Sequence, residues 1–297
     1  MGVFKKVEDN LVGSQKESIF DEIDKQFRAK PREIGRASLC ALFVGRPSTG
    51  KSGTALDYVR FLKDDERLVV VDLDAGCEEN ISEYYDVESD AGKIQYFNPA
   101  KWTKGEVGKK RVTLDYDATM EMIRAIGVYV GEHHEEFKIR AIILDGVSKL
   151  KQWAEYQMKL DKHMDISGDP KRKYWRIRNV DFLEILELYK SIIDVDTIFI
   201  GNDEFALEEN EVKALFRDTN DLVSQKVIFE KEETDSKIQF YARIDKSRQN
   251  FRNVGKRIEF AQLDKVDEEK DYEWDSSNLI RLLQSDRKPI LDEIEKK

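Results

Sequence analysis

Leu39-Cys40-Ala41-Leu42-Phe43-Val44-Gly45-Arg46-Pro47-Ser48-Thr49-Gly50-Lys51-Ser52-Gly53-Thr54 is the stretch from which the rest of the chain is read. Its unbroken apolar run, Leu39 to Val44, predicts a buried strand. Gly45 to Ser52 then match the pattern G-x-x-x-x-G-K-[ST] at every position, and the helical run Thr54–Lys63 leads out. Glycine at 45 and 50 lets the backbone wrap so that several N–H groups point inward, and the helix that follows adds the positive end of its dipole. That is the physics of a phosphate-binding loop. Lys51 is placed to reach β- and γ-phosphates and the Ser52 hydroxyl to coordinate Mg²⁺, with contacts running from Gly45 to Thr54.

Two later strands supply carboxylates at the matching edge. Arg67-Leu-Val-Val-Val-Asp-Leu-Asp74 is β-branched and ends in acid, as a central parallel strand does. Asp72 and Asp74 alternate along it and are expected on one face, directed at the loop if the strands are neighbours. After a helical pattern over Asp117–His133, Ile139-Arg-Ala-Ile-Ile-Leu-Asp145 reads as a Walker B strand, its Asp145 holding the Mg²⁺ shell opposite Ser52. A third apolar strand, Thr197–Asn202, places Asn202 at a tip suited to sensing the γ-phosphate; a Gly-Asn turn is the alternative reading.

The bulk numbers narrow the class. The chain has 297 residues, 40% apolar and 37% charged, with a net charge of −10. A surface so acidic repels nucleic acid and acidic membranes as a whole, so any nucleic-acid contact has to come from a local basic patch. No apolar run approaches the ~20 residues that span a bilayer, and no signal-peptide segment opens the chain. With only Cys40 and Cys77, both reading as isolated thiols, the expectation is a cytoplasmic protein (a host's cytoplasm if viral). His133, His134 and His163 lack metal-ligand spacing.

Outside the core motifs, residues 1–37 are charged, with one amphipathic segment, Ser18–Phe27. Lys101–Arg111 is basic and carries Trp102; it reads as a solvated loop or a nucleic-acid contact. From Val147 a helix is expected with Leu150, Trp153, Tyr156 and Leu160 as its buried stripe. The most basic tract is Lys171-Arg172-Lys173-Tyr174-Trp175-Arg176-Ile177-Arg178. Its cations suit phosphates, and Tyr174 and Trp175 suit stacking on single-stranded bases. Alternatively Trp175 is a buried anchor at the start of a helix over Asp181–Ile193. The remainder is β-rich, with Lys246, Arg248, Arg252, Lys256 and Arg257 at a hairpin tip, then an acidic tail with a short docking helix from Trp274 to Leu283.

Taken in order over Leu39 to Phe260, these parts resemble the RecA-type ATPase core, and more narrowly the compact RecA-fold NTPases of phages and archaeal viruses. The resemblance implies an α/β fold, a mainly parallel sheet flanked by helices, with a C-terminal β-hairpin extension. It implies an N-terminal segment (1–37), an ATPase core (38–262) and an acidic tail (263–297). It further implies Mg²⁺-dependent hydrolysis of ATP by a ring or filament of identical subunits handling DNA, single strands favoured, in recombination or annealing. A DNA motor, helicase, helicase loader, packaging ATPase or nucleotide-gated scaffold shares the same core. Asp74 falls where that family keeps its water-polarising carboxylate, usually a Glu, and Asp72 or Glu78 are alternatives. Lys246-Ser-Arg248 resembles the Lys-x-Arg pair that reaches a neighbour's γ-phosphate. The implied catalytic set is Lys51, Asp74, Asp145, Asn202 and Arg248.

Overall fold

A computed structural model describes residues 38–85, 91–103, 113–165, 167–168, 172–202, 217–248, 250–265 and 273–285. The amphipathic Ser18–Phe27 segment lies outside them. The described elements begin with β1 (Cys40–Gly45), α1 (Lys51–Leu56, continued by a 3₁₀ turn over Asp57–Phe61), β2 (Arg67–Asp72), α2 (Cys77–Tyr84) and β3 (Ile94–Phe97). A small ribbon of β4 (Trp102–Thr103) and β5 (Thr113–Leu114) precedes α3 (Tyr116–His133), β6 (Ile139–Asp145), α4 (Val147–Asp161), α5 (Arg172–Lys190) and β7 (Asp196–Asn202). Then come α6 (Arg217–Leu222), β8 (Gln225–Glu233), β9 (Lys237–Ser247), β10 (Arg257–Asp264), β11 (Glu273–Trp274) and α7 (Ser277–Ser285).

The main sheet runs β11-β10-β9-β8-β1-β7-β6-β2-β3. From β8 to β3 every pairing is parallel, whereas β8 to β11 pair antiparallel. The fold is therefore α/β, a mainly parallel sheet flanked by helices with an antiparallel C-terminal extension, as expected. The central strands are continuous apolar runs because both faces are covered. Leu42, Val44, Val71, Leu144 and Phe199 face the helices α3, α4 and α5, which contribute Ile123, Leu150, Trp153 and Tyr189. Their strand neighbours Ala41, Phe43, Val70, Ile143 and Ile200 point the other way, to Leu56 of α1, Cys77 of α2 and Leu279 and Leu283 of α7.

Two details depart from the sequence reading. The basic tract and the helix expected over Asp181–Ile193 are one helix, α5, because no Gly or Pro interrupts residues 172–190. Leu160 is not part of the buried stripe of α4; it is 43% exposed and lines the mouth of a cavity, in the last turn of the helix.

Register sets the working edge. Gly45 lies opposite Asn202, Ile200 opposite Asp145, and Asp145 opposite Asp72. The tips of β1, β7, β6 and β2 thus end side by side, at the carboxyl edge where open α/β sheets bind ligands. However, β2 is not the neighbour of β1. Both β7 and β6 stand between them, so the Asp72–Asp74 tip meets Asp145 and Asn202 before it meets the loop.

Candidate active site

The loop between β1 and α1 is a closed turn held by its own bonds. The Thr49 hydroxyl donates to Arg46 O at 2.8 Å, Ser48 sits at φ 58°, and Gly50 at φ 85°. A side chain at 50 would be strained there and would meet the Phe260 ring at 2.9 Å. Arg46, Pro47 and Ser48 are exposed, whereas Thr49, Lys51 and Thr54 are buried. The Lys51 ammonium donates to Gly45 O at 3.0 Å and Arg46 O at 2.7 Å, so its charge is held inside the loop. Beside the loop, a cavity of about 500 Å³ is lined by Gly45, Arg46, Pro47 and Thr49 and by Ile228 to Lys231 of β8.

Ser52, in the first turn of α1, donates to Asp145 Oδ2 at 2.5 Å across 93 residues of sequence. The loop and the tip of β6 therefore meet. Burial pushes the Asp145 carboxyl up to about 6, against the pull of hydrogen bonds from Ser52 and Cys77. The Cys77 thiol donates to the same oxygen at 3.2 Å and is itself driven upward by burial, then by Asp145. A thiol that stays protonated is a poor ligand, so the pair available to a cation here is the Ser52 hydroxyl and the Asp145 carboxylate. Two hard oxygens fit Mg²⁺. Cys77, together with Asp72, stands close behind them.

The structure separates the two acids at the β2 tip. Asp72 ends the strand and is fully buried; its carboxylate accepts the N–H groups of Asp74, Ala75 and Cys77 at 2.8–3.0 Å and the Tyr96 hydroxyl at 3.3 Å. It organises the turn. Asp74 lies beyond the strand, half-buried, with Oδ2 accepting from Asn202 Nδ2 at 3.3 Å and Oδ1 at 3.7 Å from Lys149 Nζ. Glu78 is exposed in the first turn of α2. Asn202 is pinned by Ser148, whose hydroxyl accepts from Asn202 N and donates to Asn202 O, both at 3.1 Å. Gly146 makes this approach possible: its φ is 95°, and a Cβ there would lie 3.0 Å from the Asp74 carboxyl carbon.

Three participants escaped the sequence reading: Cys77, Ser148 and Lys149. The latter two had a usable signal, since the first turn of a helix starting right after a Walker B Asp-Gly faces the same edge. Cys77 had none.

Lys246 and Arg248 are elsewhere. Lys246 pairs with Lys226 and Ser247 with Gln225, and Gln225 lies opposite Ala41. The pair thus sits at the amino edge of the sheet, a strand's length from the loop of its own chain, with Arg248 donating to Asp221 O at 2.5 Å. In the basic tract, Lys171 lies outside the described residues, as do the side chains of Arg172 and Lys173. Trp175 is 47% exposed, which removes the buried-anchor reading. Arg176 is exposed and Tyr174 half-buried, while Arg178 bonds Glu155 at 2.9 Å and lies over the Trp175 ring.

Among solved structures the chain is similar to a KaiC-like protein of the hyperthermophilic archaeon Pyrococcus horikoshii, at 16% identity over 74% of this chain and 84% of that one, with a TM-score of 0.44. It is similar also to the RadB recombinase, at 13% identity over 76% and 88%, with a TM-score of 0.46. No protein-family model and no curated protein matches the sequence. At such identity no residue's role passes from either structure to this chain.

Proposed function

We propose that this chain is a Mg²⁺-dependent, RecA-like ATP hydrolase that acts as an oligomer on single-stranded DNA in recombination or annealing. The observation that carries the hydrolase reading is the Ser52–Asp145 contact of 2.5 Å, which joins the phosphate loop to the Walker B carboxylate. Ser52 and Asp145 would hold Mg²⁺, which when bound would neutralise phosphate charge. Lys51 exchanges the loop carbonyls for β- and γ-phosphate oxygens. Asp74, oriented by Asn202, takes the proton of the attacking water; Asp72, committed to three backbone N–H groups and the Tyr96 hydroxyl, has no lone pair to spare for it. Lys246 and Arg248 act on a neighbour's nucleotide, a role their position at the far sheet edge leaves to another subunit. In this reading residues 1–37 are an N-terminal charged, amphipathic helical segment, 38–262 the ATPase core and 263–297 an acidic tail with a short docking helix. Cytoplasmic residence and kinship with phage or archaeal-virus NTPases belong to the same proposal; no described helix is long and apolar enough to cross a membrane.

Phosphate release from ATP, with and without Mg²⁺ and poly-dT, tests the reading. Lys51→Ala and Asp145→Asn are each expected to lower the rate at least about a hundredfold, and chelation of Mg²⁺ to match them. Hydrolysis undiminished in Lys51→Ala rules out this site. A second reading, a nucleotide-gated scaffold with little turnover, is favoured by the Asp74–Lys149 contact, which occupies the base. Tight ATP binding with no release of phosphate, strand present or absent, selects it.

A further inference from the structure

A cavity of about 600 Å³ opens beside Asp74. Leu73 and Ala75, which flank Asp74 in the chain, line the cavity together with Lys149 and Trp153 of α4, Trp102 of the β4–β5 ribbon and Tyr116 of α3. Its size suits a small planar ligand, and its lining is largely apolar. The charges are as telling. Among its described lining residues there is one cation, Lys149, and no carboxylate, in a chain with 60 acidic residues. Trp102 is 63% exposed at the mouth, an unfavourable place for an indole without a partner. Lys101 beside it is exposed too, and the sequence joining Thr103 to Thr113 carries Lys104, Lys109, Lys110 and Arg111 against one acid, Glu106.

We propose that this cavity takes an unstacked base of a single nucleic-acid strand, stacked on Trp102, with the adjoining phosphate on Lys149. Aromatic faces hold bases whatever their sequence, and cations hold the backbone. The site is tied to hydrolysis by one contact. Lys149 Nζ is 3.7 Å from Asp74 Oδ1 and 5.7 Å from the centre of the Trp153 ring, so it stands between cavity and base. A phosphate that draws Lys149 away leaves the Asp74 carboxylate, still oriented by Asn202, more basic toward water. Lys149 is in this sense a positioning residue. The coupling rests on the assignment of Asp74 in the proposed function; the cavity as a strand site does not.

Binding of fluorescent oligo-dT, without nucleotide, tests the site. Trp102→Ala, a change at an exposed ribbon, is expected to weaken oligo-dT about tenfold and to leave ATP binding unchanged. An abasic oligonucleotide of equal length is expected to bind wild type and variant alike. Equal oligo-dT affinity in the two proteins overturns the proposal, as does an abasic strand that binds wild type as tightly as oligo-dT. Quenching of Trp102 by an apolar peptide and not by oligo-dT or oligo-rU overturns it in favour of a protein occupant. A preference between dT and rU identifies the strand. For the coupling, Lys149→Met is expected to raise the strand-free rate and bring the ratio of stimulated to basal hydrolysis near one. A preserved ratio overturns it. Should the chain hydrolyse no ATP at all, the oligonucleotide comparison still stands or falls alone.

Discussion

At Asp145, burial drives the carboxyl up to about 6, from an ordinary value of 3.8. The folded chain therefore keeps a proton there that the unfolded chain releases from about pH 4 upward. Stability contributed by this group is complete below pH 4 and is lost as the pH rises through 6, to the extent of about 3 kcal/mol. Urea midpoints of metal-free protein are expected to fall between pH 4 and 6, and Asp145→Asn to flatten that fall; an equally steep curve in the variant assigns it to another group. Gly146 makes the second residue-scale case. Alanine there faces both a left-handed backbone and the Asp74 carboxyl carbon 3.0 Å away. Gly146→Ala should cost about 1–2 kcal/mol of stability and slow hydrolysis more than it weakens ATP binding. Nucleotide affinity lost in step with rate would mean the loop itself had moved.

Among the elements, the C-terminal pair β11 and α7 docks directly on the helix that follows the β1–α1 loop. Asp57, buried in the 3₁₀ turn after α1, accepts from Trp274 Nε1 and Ser276 Oγ, both at 2.5 Å, and from the Tyr85 hydroxyl at 3.0 Å. Trp274 also lies against Gly50 and Gly53, and Leu279, Ile280 and Leu283 join the core on that face. The docking helix expected over Trp274–Leu283 begins instead at Ser277, Trp274 belonging to the short strand β11, and both pack behind the loop. Asp57→Ala removes the common acceptor of three donors, and a loss of about 3 kcal/mol is expected. Urea unfolding followed by tryptophan fluorescence measures it, and ATP affinity is expected to weaken with it. Unchanged stability would show that the apolar contacts of α7 hold the segment alone.

For the whole molecule, the sheet puts two groups of candidate residues at opposite edges. Lys51, Ser52, Asp74, Asp145 and Asn202 gather at the carboxyl edge, whereas Lys246 and Arg248 stand at the amino edge. If a neighbour completes the site, two inactive variants should repair each other. Lys51→Ala retains the arginine and Arg248→Ala retains the loop. Mixing them is expected to restore phosphate release above the sum of the two, with a rate per subunit that rises with protein concentration. Additive rates at every concentration would place the whole site in one chain.

The loop, Asp145 and Asn202 were legible because each is a local pattern at the end of an apolar strand, and parallel strands bring such ends to one edge. The basic helix start was legible as charge, and its continuity with the helix expected from Asp181 was legible as well, since no Gly or Pro interrupts residues 172–190. That Asp72 takes the N–H groups of the turn while Asp74 meets Asn202 and Lys149 was not legible, since the two acids stand in the same local pattern. Nor could Cys77 be placed 68 residues from Asp145, or Trp274 217 residues from Asp57. The sequence by itself determined the glycine-rich loop between strand and helix, the α/β class and the strand tips that carry carboxylates, because those follow from nearest-neighbour chemistry and strand periodicity. Only the tertiary structure decided that β7 and β6 lie between β1 and β2, that Lys149 meets Asp74, and that the Lys246–Arg248 pair stands at the amino edge. Strand order and long-range contact arise from packing both faces of one sheet at once, which no local window encodes.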